Sequence, residues 1–139
     1  GKAWRIMLTI SEIEEQFEAR AYLRALASIA QVDGVLEVER QFIEQQALSL
    51  GLNPSEIDWT KAADLDGEIA CASGVTRRLI VRDCIVLASL DDDYTDNERR
   101  EIRQLAARLG ISDDVVHRLE DWVVRYSAII EEGRELLAV

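Results

Sequence analysis

The chain has 139 residues, 48% of them apolar and 31% charged, with a formal net charge of −11. A chain of this size buries roughly 68% of its unfolded surface as one domain, so its core requires no staple. The acidic balance argues against a nucleic-acid backbone as partner, because phosphate binding needs a basic face. The two cysteines, Cys71 and Cys84, lack metal-type spacing and fit a reducing intracellular compartment.

No segment approaches the roughly 18 apolar residues of a membrane span. The longest apolar run, Leu79 to Leu90, is broken by Arg82-Asp83. Ala3 to Ile10 is too short and poorly flanked for a signal peptide. A chain beginning at Gly1 rather than Met reads as trimmed or tagged, with the expectation that a native N-terminal extension is missing.

Strand-like alternation is absent, and helical periodicity runs almost throughout. Ser11 with Glu14 forms a capping box that opens a helix carrying Phe17, Tyr22, Leu23, Leu26, Ile29 and Ala30 to about Val32. The next helix runs from about Val38 to Leu50 and stops at Gly51. Asn53-Pro54-Ser55-Glu56 reads as a helix restart, with Asn as N-cap and Pro at the first helical position. The stretch from about Thr60 to Gly74 is less regular, with room for one short helix. A helix then covers about Thr76 to Leu90; its small polar face marks it as central and buried. Thr95-Asp96-Asn97-Glu98 is a second capping box, and its helix ends at Gly110. Ser112-Asp113-Asp114 caps the last helix, whose buried stripe is Val115, Val116, Leu119, Trp122, Val123 and Tyr126. The tail from Glu131 reads as frayed or weakly helical.

One short acidic turn occurs twice. Asp33-Gly34-Val35-Leu36-Glu37-Val38-Glu39 is the first copy, and Asp91-Asp92-Asp93-Tyr94-Thr95-Asp96-Asn97-Glu98 the second. Upstream the offset is 58 residues, from Asp33 to Asp91, and downstream it is 59, from Glu39 to Glu98. Glu39-Arg40 and Leu50-Gly51-Leu52 return as Glu98-Arg99 and Leu109-Gly110-Ile111. Ordered polar matches argue for duplication, since any two amphipathic helices share apolar ones. The pattern predicts an all-α fold: a single multihelical domain over residues 1–139. Two helix–acidic turn–helix repeats, about 11–63 and about 75–132, surround two central helices that pack together.

These turns, each after a small-residue-rich helix and each followed by Glu and Leu-Gly-aliphatic, resemble the tellurite-resistance TerB family. Ala30-Gln31-Val32-Asp33-Gly34 with Glu39 matches the family's Asp-Gly turn, while the second copy carries Asp92 where Gly is usual. Gly often supplies a positive φ there, which puts the geometry of the second turn in question. The resemblance implies a non-enzymatic helical module of tellurite or other chemical stress. It also implies a cytoplasmic setting reaching the inner face of the membrane, membrane and calcium-binding protein partners, and acidic residues that bind divalent metal. A related domain opens some membrane-linked chaperone cofactors.

The candidate metal ligands are Asp33, Glu39, Asp91, Asp92, Asp93, Asp96 and Glu98. Oxygen-only donors select hard cations, namely Ca²⁺, Mg²⁺ or Mn²⁺. The turns are not EF-hands: counted from Asp91, position 6 is Asp96 rather than Gly and position 12 is Ile102 rather than Glu. Against this stands plain helix capping, which explains Glu98 through Thr95. It explains Glu39 less well, because Leu36 stands where Ser or Thr is needed. Arg24 and Arg82, equivalent by the repeat, read as snorkelling stems in local ion pairs. His117 has no companion ligand, and Trp4, Trp59 and Trp122 read as packing anchors. No nucleophile motif is present. The expectation is a metal-responsive interaction module without catalytic activity, compatible with a homodimer. The alternative is an acidic scaffold indifferent to metal.

Overall fold

The structure, a computed structural model, describes residues 16–31, 34–59, 69–70, 72–90 and 93–138. Five α-helices occur among them: α1 (Gln16–Ala30), α2 (Glu37–Ser49), α3 (Gly74–Ala88), α4 (Asp96–Arg108) and α5 (Asp113–Leu137). The described residues contain no strand, and the fold is all-α.

α1 and α3 form the centre. From Ala21 to Ala30, α1 is buried at every position except Arg24 and Ser28. Its alanines (Ala21, Ala25, Ala27, Ala30) keep that surface low, so a neighbouring backbone approaches closely. α3 presents Ile80, Val81, Cys84, Ile85, Leu87 and Ala88 to the same core. The expected packing of these two helices against each other is the most extensive helix contact among the described residues. α2 covers α1 with Ile43 and Ala47, α4 closes on α3 with Ile102, Leu105 and Ala106, and α5 lies across α3 and α4 through Val116 and Val123. Burying a Leu- or Ile-sized side chain contributes about 1.5–3 kcal/mol, so this seam carries most of the driving force for folding.

The equivalent ends of α2 and α4 terminate identically. Leu52 N–H bonds to Ala47 O at 2.9 Å and Gly51 N–H to Leu48 O at 3.0 Å; Ile111 N–H bonds to Ala106 O at 2.8 Å and Gly110 N–H to Ala107 O at 3.0 Å. Both are Schellman motifs, with Gly51 at φ 76° and Gly110 at φ 73° in the left-handed region. The aliphatic residue after each Gly, Leu52 or Ile111, is buried and locks the reversal. Leu-Gly-aliphatic is therefore a helix stop with a hydrophobic lock.

Three local expectations need correction. α3 starts at Gly74, not near Thr76, because Ser73 Oγ caps it by accepting the Thr76 N–H at 3.2 Å. Asn53 does cap, accepting the Ser55 N–H at 3.0 Å, but the restart lasts a single 3₁₀ turn, Pro54–Glu56. The tail does not fray: α5 continues to Leu137, with Ala138 N–H closing on Arg134 O at 3.0 Å. Glu131, Glu132, Arg134, Glu135 and the leucines are strong helix formers, and one glycine does not offset them. The capping box at Ser11–Glu14, Trp4 and residues 60 to 68 lie outside the described residues.

Arg77 ties the start of α3 to the rest. Its guanidinium donates to the carbonyls of Ala72 (3.0 Å), Ala70 (3.1 Å) and Leu109 (3.3 Å). The last contact sets a cation at the C-terminal end of α4, where the helix dipole favours it.

An added Cβ at Gly51 or Gly110 meets nothing within 4 Å, so substitution there tests backbone strain alone. Gly51→Ala and Gly110→Ala are each expected to lower stability by about 1–2 kcal/mol in urea melts. Gly74→Ala, also open but at negative φ, is expected to be neutral or stabilising.

Candidate functional site

The chain leaving α1 and the chain leaving α3 enter equivalent turns, and these meet. Gly34, Leu36 and Glu39 from the first turn and Asp93, Thr95, Asn97 and Glu98 from the second line one cleft of about 270 Å³. Two segments nearly sixty residues apart in sequence thus share one acidic space. Gly34 has φ 87°, the left-handed conformation that glycine permits. Its counterpart, Asp92, lies outside the described residues, as do Asp33 and Asp91.

Glu39 and Glu98 hold equivalent positions. They are only 4% and 6% exposed. Each occupies the third position of its helix and reaches back to the backbone N–H three residues earlier. Leu36 N–H donates to Glu39 Oε1 at 2.9 Å, and Thr95 N–H donates to Glu98 Oε1 at 3.0 Å. Glu39 therefore caps its helix after all. The cap needs only the backbone of residue 36; what Leu36 lacks is the reciprocal half, which Thr95 supplies by accepting the Glu98 N–H at 3.1 Å. The other oxygen of Glu98 takes no hydrogen bond among the described residues, and the residue lines the cleft.

The remaining acidic candidates separate. Asp93 is exposed and lines the cleft. Asp96 does not: its side chain is 94% exposed and lies 3.6 Å from Arg99. Among the described residues, no three His, Cys, Asp or Glu side chains come close enough to enclose an ion. His117 stands apart as well, exposed and 3.8 Å from Asp121.

The second turn is fastened to α5. Tyr94 packs beneath the Arg99 guanidinium, 4.6 Å from the ring centroid, and Glu120 takes Arg103 at 3.0 Å and Arg99 at 3.5 Å. Burial first, then the nearby Glu120 carboxylate, raise the Tyr94 hydroxyl above its ordinary range.

A second polar cluster, unseen in the sequence reading, sits between the central helices. Asp83 is buried and accepts the Tyr22 hydroxyl at 2.6 Å. Arg82 Nε lies 2.8 Å from its other oxygen, and the Arg82 guanidinium is 5.9 Å from the Trp122 ring centroid. Trp122 in turn stacks on Tyr126 at 5.2 Å. Burial would lower the Arg82 guanidinium, but the hydrogen bonds and charge of Asp83 outweigh it and raise it. Arg82 thus has its expected local ion pair. Arg24 faces a groove shared with Glu56 and Asp58. The signal that could have revealed the cluster was Asp83 itself, an acidic residue at a core position of an apolar helix.

No family model matches the chain, and no curated protein does. The search of solved structures found a likeness to the crystal structure of a tellurite resistance protein from Nostoc punctiforme, with a TM-score of 0.75. The match covers 90% of this chain and 82% of that one at 22% identity. The chain shares the all-helical fold of that protein. At that identity the likeness carries the helical framework and leaves the side chains of the cleft to be argued from this chain alone.

Tyr22 gives a pH prediction. Burial and then Asp83 raise its hydroxyl well above 10.0. Above that pH the unfolded chain releases a proton that the folded chain retains, so stability falls as pH rises, and below it the contribution is complete. Tyr22→Phe is expected to cost about 1–3 kcal/mol at neutral pH. The gap to the parent should narrow above pH 10, read from urea melts across the alkaline range; a constant gap would count against the Tyr22–Asp83 bond.

Proposed function

We propose that the chain is a non-enzymatic module of a tellurite or other chemical-stress resistance system. In this reading it takes a divalent cation at the cleft between its two acidic turns and docks protein partners. The observation that carries this is the convergence of the duplicated turns on one cleft, with the buried Glu98 lining it and one of its oxygens without a hydrogen bond among the described residues. The caps support the reading further. By fixing one oxygen of each glutamate, they orient the carboxylate as outer-shell hydrogen bonds orient metal ligands. Glu39, Asp93 and Glu98 are the described donors; in sequence Asp33 precedes the cleft residue Gly34, and Asp91-Asp92 precede Asp93. Oxygen donors of this kind suit Ca²⁺, Mg²⁺ or Mn²⁺. The name carried by the Nostoc protein supports the stress-resistance setting. We place the module in the cytoplasm, acting beside partners at the inner face of the membrane. Among the described residues, no helix is long and apolar enough to cross a membrane.

The net charge of −11 favours a second reading, a metal-independent acidic scaffold that docks a basic partner. Pull-downs in chelator and in excess calcium separate the two, since the scaffold holds its partner equally in both.

Calorimetric titration with Ca²⁺, Mg²⁺ and Mn²⁺ tests the cation directly. An open site with few donors is expected to bind at about 10⁻⁴–10⁻³ M. Saturation to a hundred times Kd should then raise stability by about 2.7 kcal/mol. Glu98→Gln keeps an oxygen for the cap but removes the charge. It should weaken binding at least about tenfold while leaving the melt in chelator nearly unchanged. No heat and no thermal shift with any of the three ions would discard the cation.

A further inference from the structure

The apolar stripe of α5 does not stop where the body stops. Val116, Leu119 and Val123 pack on the core; Tyr126, Ile130 and Leu137 continue the same three-and-four spacing, with Gly133 among them. Ile129 and Leu136 widen the stripe on one side. Among the described residues nothing covers this second half, with Ile129 65% and Leu136 78% exposed. The exposed apolar area is on the order of 500 Å², at the upper end of what a monomer leaves in one patch.

Two charges border this stripe on the same side. Arg125 and Glu132 are seven residues apart and so lie on one flank of the helix, about 10 Å apart along its axis, too far to pair with each other. Neither makes an ion pair or hydrogen bond among the described residues. In two antiparallel helices, a flank faces the same flank of its neighbour. A two-fold axis near Ile129 therefore brings Arg125 opposite, within about one residue, Glu132 of the partner subunit. The same axis sets Tyr126 over the partner's Gly133, a large side chain against the one position without a Cβ. It also sets Trp122 against the partner's Leu136. One operation matches the charges, the shape and the apolar stripe together.

We infer that the second half of α5, residues 122–137, pairs with the same segment of a second copy in an antiparallel two-fold dimer. The area offered is below the roughly 800 Å² per partner of a standard interface, so the dimer is reversible and concentration-dependent.

Sedimentation equilibrium of the full chain across the micromolar range tests this. The parent should pass from monomer to dimer. Arg125→Glu and Glu132→Arg should each raise the dimer Kd about tenfold or more, since each puts like charges together at two symmetric places. The double variant Arg125→Glu/Glu132→Arg restores the pair with its signs exchanged and should return within about threefold of the parent. Ile129→Glu, at an exposed position, should give a monomer with unchanged helical circular dichroism. A parent that is monomeric throughout, a double variant no better than the singles, or a dimer that survives Ile129→Glu would each overturn the proposal.

Discussion

Before the two central helices can close, a carboxylate between them must be neutralised. Asp83 is buried in the α1–α3 seam, where an uncompensated charge is strongly unfavourable. Two groups answer it from different directions: the Tyr22 hydroxyl on α1 and the Arg82 guanidinium on its own helix. The Tyr22 bond sets the register of one repeat against the other, because the hydroxyl reaches Asp83 only at one sliding position of α1 along α3. A purely aliphatic seam could slip by a turn at modest loss. This one leaves a buried charge without its donor if it does. The shared cleft follows from that register, since the turns grow from the C-terminal ends of the same two helices.

The repeats are alike where backbone geometry is demanding and differ where it is not. Both stop α2 and α4 with Gly at positive φ, and both cap with Glu at the third helical position. They diverge at the residue before the helix. Thr95 returns a hydrogen bond that Leu36 does not, a difference of about 1 kcal/mol in typical N-caps. The second turn is also fastened to α5 through Tyr94, Arg99, Arg103 and Glu120. The second half of the cleft is thus the more firmly held, and the first is supported by fewer bonds among the described residues.

The features that could be read from the sequence alone were those decided locally. Helix stops depend on a Gly that tolerates positive φ, and the capping box at Thr95–Glu98 on two side chains that each accept the other's backbone N–H, so both leave residue-level marks. The all-helical class and the central pair follow from periodicity and from how little polar face each helix carries. The start of α3 was misplaced because Ser73 precedes a Gly and a Val rather than an obvious apolar stripe. Glu39 was misjudged because the usual signature demands a hydroxyl at Leu36, whereas the bond that forms uses only backbone. The cleft was not legible at all. Two copies of a turn are equivalent in sequence whether they end adjacent or at opposite ends of a bundle, and only the α1–α3 register decides.

The cleft and the uncovered face of α5 are linked by charge. Pairing two copies through α5 brings together two chains of net charge −11 each, a repulsion felt over a Debye length of about 8 Å at physiological salt. The contacts across residues 122–137 must outweigh it. A divalent cation held in each cleft would remove about four charges from the pair, so cation binding and dimer formation would favour one another. By reciprocity the dimer would bind its cation more tightly than the monomer. The coupling requires no conformational change, only that the same acidic surface that attracts the cation opposes the approach of the second copy, and added monovalent salt would weaken it by screening.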